Sequence, residues 1–243
     1  MKRQLVLLLS LLVLAGCGTT HTTTPGSETQ DHQGPASYYD PQAVDLTKDP
    51  DLKVNELSDD FYNPSKWESM DNDSYSPAEV QSDTSMKFRN TNAAFDMGDY
   101  SNKSLSFMVK GNNDWNIHLL ANNKSNSPNN YIRLECQYNV LRIKTSFSGN
   151  SAVAYVPAGY NFKMNEFSRL DFKFETANST TTMKMWVDEV PVVLKKATDF
   201  SSKGVSIKDG NLVLKQSSSF KLGNYFLVKI WDDQDYLYIK KVA

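Results

Sequence analysis

From Ser58 onward the chain alternates apolar and polar residues over short runs, and this two-residue period limits most what it can fold into. In "RLDFKFET", Leu170, Phe172 and Phe174 take one face while Asp171, Lys173 and Glu175 take the other. "SLSFMVK" repeats the pattern with Leu105, Phe107 and Val109. "YIRLECQ" sets Ile132, Leu134 and Cys136 against Arg133, Glu135 and Gln137, and "VLRIKTS" sets Leu141 and Ile143 against Arg142 and Lys144. Successive side chains of an extended strand point to opposite faces, so each run offers one face to a core. "AYVPAGY", "TTMKMWV", "VPVVL", "YFLVKIW" and "YLYIKKV" continue the series, with turn clusters such as "GNND", "NNKSNSPNN", "SGNS" and "SSKG" between the runs. No long window carries a helical stripe. The expected fold is therefore all-β, an antiparallel two-sheet β-sandwich over residues 58–243. A domain of that length buries roughly 70% of its unfolded surface.

The start of the chain obeys different chemistry. In "MKRQLVLLLSLLVLAGC", Lys2 and Arg3 precede an apolar run from Leu5 to Leu14 broken by Ser10. That run is shorter than the about 20 residues a membrane span needs, and it has the form of a secretory signal peptide. Its end, Leu14-Ala15-Gly16-Cys17, resembles the lipobox of bacterial lipoproteins. The resemblance implies that residues 1–16 are removed and that the Cys17 thiol carries a diacylglyceryl group, with acylation (palmitate) of the new N-terminus. Several acyl chains hold a protein stably on a membrane, where one chain alone is marginal. Gly18 stands where an aspartate would mark retention at the inner membrane, so the outer membrane or cell surface is the expected location. Residues 17–57 are rich in Thr, Gly, Ser, Pro, Gln and Asp without apolar period, and read as a flexible tether. His21 and His32 fall in it as polar linker residues.

The whole chain has 26 basic and 28 acidic residues, and removal of Lys2 and Arg3 leaves 24 against 28, a net charge of −4. With no Lys/Arg cluster, a nucleic-acid partner is excluded as an expectation. Of the two cysteines one is Cys17, so Cys136 has no partner within the chain and is expected as a small buried hydrophobe.

Three stretches resemble the concanavalin A-like and laminin-G-like jelly rolls. They are "LSDDFYNPSKWES", with Asp60-Phe61 and Trp67; "NEFSRLDFKFE" followed by "TTMKMWVDEVPV"; and the closing "GNYFLVKIWDDQDYLYIKKVA". The resemblance implies two curved sheets packed face to face, with a concave face that in this family often binds or cleaves glycans. It also implies a hairpin turn at Asp188-Glu189, where Glu189 replaces the family's usual glycine. Adjacent residues of extended chain point to opposite faces, so these two carboxylates are a turn and not a catalytic pair.

The motifs of nucleophilic catalysis are missing. There is no Gly-x-Ser-x-Gly elbow, no HExxH and no CxxC, and the one Ser-x-x-Lys match, Ser218 to Lys221, lies in a strand-like run. Glycan hydrolysis needs two carboxylates about 5 Å or about 6.5–9.5 Å apart. The nearest pair, Asp171 and Glu175, is about 13 Å apart along one strand at about 3.3 Å per residue, and reads as a charged surface face. Arg133-Leu134-Glu135, Asn116-Ile117-His118 and Phe220 to Tyr225 are similar to strands of jelly-roll alginate lyases. They come in a different order, with Asn for Gln and without the opening Tyr. A polysaccharide lyase is thus the enzymatic alternative, and a structural or protein-binding role is the third reading.

A binding role asks for less. Asn116 and His118 face away from Trp115, Ile117 and Leu119; Arg133, Glu135, Gln137, Arg142 and Lys144 likewise face away from their apolar neighbours. On adjacent strands these residues make one polar surface, either a solvated sheet face or a site for sugar hydroxyls or a uronate. Tyr131, Tyr138 and Tyr155 are the expected stacking faces. A structural calcium is the one cofactor considered, with Asp232, Asp233 and Asp235 of "WDDQD" as ligands and Asp71/Asp73 and Asp96/Asp99 as further candidates.

Overall fold

The structure is a computed structural model and describes residues 57–70, 78–100, 102–112, 114–137, 140–147, 150–155, 165–196, 204–218 and 221–242. The signal peptide, Cys17, the tether up to residue 56 with His21 and His32, and Asp71 and Asp73 lie outside the described residues.

The alternating runs become two antiparallel sheets. In order across the first sheet lie β1 (Glu68–Ser69), β4 (Thr91–Asp96), β16 (Tyr225–Ile230), β6 (Trp115–Ala121), β7 (Tyr131–Gln137), β8 (Val140–Phe147), β9 (Asn150–Tyr155) and β13 (Lys195–Lys196). In order across the second lie β14 (Val205–Lys208), β15 (Asn211–Lys215), β11 (Thr180–Val187), β10 (Ser168–Ala177), β5 (Ser104–Gly111), β17 (Leu237–Lys240), β3 (Met86–Phe88) and β2 (Glu79–Val80), with β12 (Val190–Pro191) paired to β11. Among the described residues the only helical pieces are the 3-10 turns Asp59–Tyr62 and Pro64–Lys66. The chain passes repeatedly from one sheet to the other, as a jelly roll does, and the β-sandwich expected from the alternation is the observed fold.

Between the sheets the apolar halves of the runs meet. Leu105, Phe107 and Val109 of β5 and Leu170, Phe172 and Phe174 of β10 are fully buried, as are Ile132 and Leu134 of β7 from the opposite sheet. Cys136 is buried among them. The segment at Asp59–Tyr62 acts as a plug. Phe61 meets Trp67, Phe95 and Phe226 edge-on at ring-centroid distances of 5.1, 5.2 and 5.1 Å. Trp67 donates from its indole N–H to the Phe61 carbonyl at 2.7 Å and touches Phe88 of the other sheet at 4.8 Å. These contacts tie both sheets to the first turns of the domain.

Two expectations about local structure change. Asp171 is not a surface charge: it is 2% exposed, and burial is the largest influence raising its carboxyl above the ordinary value, partly offset by bonds from Ser106 and Arg169. Glu175 is exposed and pairs with Lys173. Ser218 and Lys221 do not themselves sit in strands, since β15 ends at Lys215 and β16 begins at Tyr225.

The Asp188-Glu189 hairpin is present, and its geometry explains the missing glycine. Val187 pairs with Val190, leaving a two-residue turn with Asp188 at φ 50° and Glu189 at φ 68°. Two positive φ values are the type I′ pattern, which matches the twist of a hairpin and normally selects Asn-Gly or Asp-Gly. The Asp209-Gly210 turn, at φ 51° and 75°, has that usual pair. At Glu189 a second interaction supports the side chain. Arg169 donates from Nη1 to Glu189 Oε1 at 2.6 Å, and its backbone N–H donates to Asp188 Oδ1 at 2.7 Å.

A non-glycine residue in the left-handed region costs about 1–2 kcal/mol, whereas an exposed ion pair is worth about 0.2–1 kcal/mol. Glu189→Gly is therefore expected to raise stability in urea unfolding, and to raise it more in high salt, where the Arg169 pair is screened in the parent. A loss of stability at all salt concentrations would show that the ion pair outweighs the backbone strain.

Candidate functional site

The polar halves of β6, β7 and β8 lie side by side on the face of the first sheet that turns away from the core. His118 pairs in register with Arg133 and Arg133 with Lys144, while Asn116 pairs with Glu135 and Glu135 with Arg142. The seven residues selected from the sequence thus share one face of three neighbouring strands. They do not share one environment.

Five of them line a pocket of about 180 Å³: Asn116, Arg133, Glu135, Gln137 and Arg142, joined by Asp114 and Trp231. Its floor is a charge network. Glu135 forms ion pairs with Arg133 Nη2 at 2.6 Å and with Arg142 Nε at 3.2 Å, and Arg142 Nη2 donates a hydrogen bond to Gln137 Oε1. The two guanidinium groups are only 16% and 25% exposed in their side chains, so their planes are held by neighbours before any ligand arrives. Arg133 Nε and Asp114 Oδ1 are buried without a hydrogen-bond partner among the described residues. With Arg142 Nε, likewise without a hydrogen-bond partner there, two donors and an acceptor are left over at one pocket.

Trp231 was not selected from the sequence as a contact residue, because it read as the end of the strand run "YFLVKIW". It follows β16 directly and is 60% exposed, an unusual exposure for the largest apolar side chain. A tryptophan immediately after an apolar strand and before a run of aspartates was the signal available. The tyrosines expected to stack do not fill that role. Tyr131 stacks on His118 at 4.5 Å with rings 22° apart, so that ring face is occupied. Tyr138 and the side chain of Tyr155 lie outside the described residues.

His118 and Lys144 are not in the pocket lining. His118 is 2% exposed and has no hydrogen-bond partner on either ring nitrogen among the described residues. Leu227 pairs with it in register on one side and Tyr131 covers its ring. The 122–130 loop closes nearby: its ends are joined by Asn122 N–H to the Asn130 carbonyl at 3.0 Å, and Lys229 donates to the Asn126 carbonyl. Burial holds the His118 imidazole well below its ordinary value, and the Lys229 and Arg133 charges push it the same way. The imidazole is thus enclosed and lies outside the pocket lining.

Among the described residues, Asp232, Asp233 and Asp235, named for calcium, belong to one turn. Asp232 Oδ1 accepts from Gln234 N–H at 2.8 Å, and the Asp233 carbonyl accepts from Arg89 Nε at 2.6 Å. Asp235 is buried, with its carboxyl raised chiefly by burial and also by Asp232 and Asp114. These residues build the turn from β16 to β17. Among the described residues no group of three or more His, Cys, Asp or Glu is placed to hold a metal ion. Asp96 is likewise engaged, accepting from Gly98 N–H at 2.9 Å.

No protein-family model matches the chain, and no curated protein sequence does. Similar solved structures include the carbohydrate-binding module CBM66 from Bacillus subtilis, at 8% identity and a TM-score of 0.45, covering 74% of this chain and 98% of that one. The Lotus tetragonolobus seed lectin is similar at 9% identity and a TM-score of 0.36, over 72% of this chain and 89% of its own. An endo-1,3-beta-glucanase from Streptomyces sioyaensis is similar at 11% identity and a TM-score of 0.31, over 74% and 84%. The site described above rests on this chain's own residues.

The depressed His118 gives a pH signature. Above about pH 6.5 the imidazole is neutral in both folded and unfolded chains and stability is unaffected. Below that value the unfolded chain takes up a proton that the folded chain refuses, so stability falls with a slope approaching about 1.4 kcal/mol per pH unit. Urea unfolding of the parent and of His118→Gln between pH 7.5 and 5.5 is expected to show this component in the parent alone. Parallel pH dependences would mean that His118 is protonated as easily when folded.

Proposed function

We propose that this chain is an exported lipoprotein, anchored to a bacterial membrane through Cys17, whose β-sandwich holds a glycan without catalysis. The observation that carries the binding reading is Trp231, exposed at the edge of a pocket floored by the Arg133–Glu135–Arg142 network. A sugar ring has an apolar C–H face and a rim of hydroxyls. An indole face suits the first, and fixed guanidinium, carboxylate and amide groups suit the second. Two arginines share the single carboxylate of Glu135, and the spare Arg133 Nε suits a hydroxyl or a uronate carboxylate. The lipid anchor rests on Leu14-Ala15-Gly16-Cys17 and puts the domain on the outside of the cell, at the outer membrane or cell surface, where glycans are met.

Glycan-array binding of the soluble domain, followed by calorimetry, tests the site. Trp231→Ala and Arg142→Ala are each expected to weaken binding at least tenfold, about 1.4 kcal/mol, with little change in melting temperature for the exposed Trp231. Binding to no glycan at all would favour a structural or protein-binding envelope component. New unsaturated ends released from a uronate polysaccharide would instead identify a lyase.

For the anchor, Cys17→Ala is expected to abolish incorporation of labelled palmitate in a bacterial host and to leave an uncleaved precursor. Normal processing of that variant would identify an ordinary signal peptide instead.

A further inference from the structure

A second opening lies at another part of the sandwich, where the core ends. At core-facing positions β10 runs Leu170, Phe172, Phe174 and then Thr176, while β11 begins Thr181 and continues Met183, Met185. Thr176 and Thr181 pair in register, so two hydroxyls replace hydrophobes on the last rung of the core. Above them is a cavity of about 350 Å³, walled by Tyr100, Leu120 and Leu222 and rimmed by Asp99 and Asn224. A cavity of this size with apolar walls and a few converging polar groups is the usual form of a small-molecule site.

Its walls are built by unusual backbone. Tyr225 pairs with Ala121 but Leu227 pairs with His118, so one extra residue is inserted in β6. That residue is Leu120, at φ 52°, a strained conformation for a leucine. The bulge takes Leu120 off the polar face of Asn116 and His118 and places it in the core cluster, lining the cavity. Gly223 donates to the Leu120 carbonyl at 3.0 Å, and a Cβ there would lie 2.3 Å from the Ala121 carbonyl, so no other residue fits. Asp96 then buckles the rim, accepting from both Gly98 N–H and the Asn224 side chain.

The floor carries a short chain of hydrogen bonds. Gln216 Nε2 donates to Thr181 Oγ1 at 2.6 Å, and Thr181 Oγ1 lies 2.9 Å from Thr176 Oγ1. Gln216 is itself fixed, since its Oε1 accepts from Leu222 N–H at 3.0 Å. Either hydroxyl can be the donor between Thr181 and Thr176, so the pair keeps hydroxyl donor and acceptor capacity at the cavity floor. Asp99 lines the same cavity, and its negative charge disfavours anions there.

We propose that this cavity is a second binding site, for one neutral, hydroxyl-rich ring such as a single glycosyl unit. It is separate from the Trp231 pocket and does not depend on it. The test uses the domain with methyl-labelled Thr and Leu, titrated into the millimolar range with glucose, galactose, mannose and fructose. With at least one sugar, saturable shifts are expected at the methyls of Thr176, Thr181, Leu120 and Leu222. Trp231→Ala should leave that affinity unchanged, while Asp99→Ala, at an exposed position, and Thr181→Val should each weaken it at least tenfold. Asp99→Ala keeps the test valid if Thr181→Val unfolds. No saturable shift with any of the four sugars, shifts abolished by Trp231→Ala, or indifference to Asp99→Ala would each overturn the proposal. Loss of glycan-array binding in Trp231→Ala with these shifts intact would separate the two sites.

Discussion

A strand buried on both of its faces is the constraint on which the rest of the site depends. Every residue of β6, from Trp115 to Ala121, is buried, although the strand alternates apolar and polar like its neighbours. Its inner side packs into the sandwich. Its outer side is enclosed by Leu227 of β16, by Tyr131 at the start of β7, and beside the loop that Lys229 holds. Polar groups placed on such a strand cannot be solvated, so they must be partnered or neutral. Asn116 is at the edge of the enclosure and reaches the pocket; His118 is inside it and is held uncharged.

The same enclosure divides the sheet face. Toward β4 and β16 it becomes a small apolar cluster of Met70, Ala94, Ala121 and Leu227. Toward β7 and β8 it opens into the Arg133–Glu135–Arg142 network. The dividing line is the row occupied by His118, and Trp231 stands at the open side, where the chain leaves β16. At the far end of β6 the strand cannot continue regularly. The Leu120 bulge turns its last residues toward the close approach of Gly223 and leaves room beneath for the cavity over Thr176 and Thr181. Both candidate sites are thus consequences of how one central strand begins and ends.

Turn chemistry shows a comparable dependence on context. Asp209-Gly210 has the residues that a type I′ turn prefers, and its position between β14 and β15 needs no other support. Asp188-Glu189 adopts positive φ at both positions with a residue ill suited to one of them, and Arg169 ties both side chains to the neighbouring strand. Asp171, on that same strand, is buried beside Arg169 rather than facing water. One arginine thereby serves a buried carboxylate and a turn.

The sequence by itself determined the fold class and the two faces of each strand, because alternation is a local property set by the backbone geometry of one extended segment. It also assigned Asn116, Arg133, Glu135, Gln137 and Arg142 to the polar faces of their own strands, while the pairing of β6, β7 and β8 brought those faces together. What it could not contain is which polar positions are covered. Alternation assigns His118 and Arg133 to the same face, yet one is enclosed and the other lines a pocket, because the covering groups come from Tyr131, Leu227 and Lys229. Trp231 looked like the end of a strand and Leu120 like its interior. Only the tertiary structure exposed the first beside an arginine network and twisted the second into a cavity wall, through contacts between segments about a hundred residues apart in the chain.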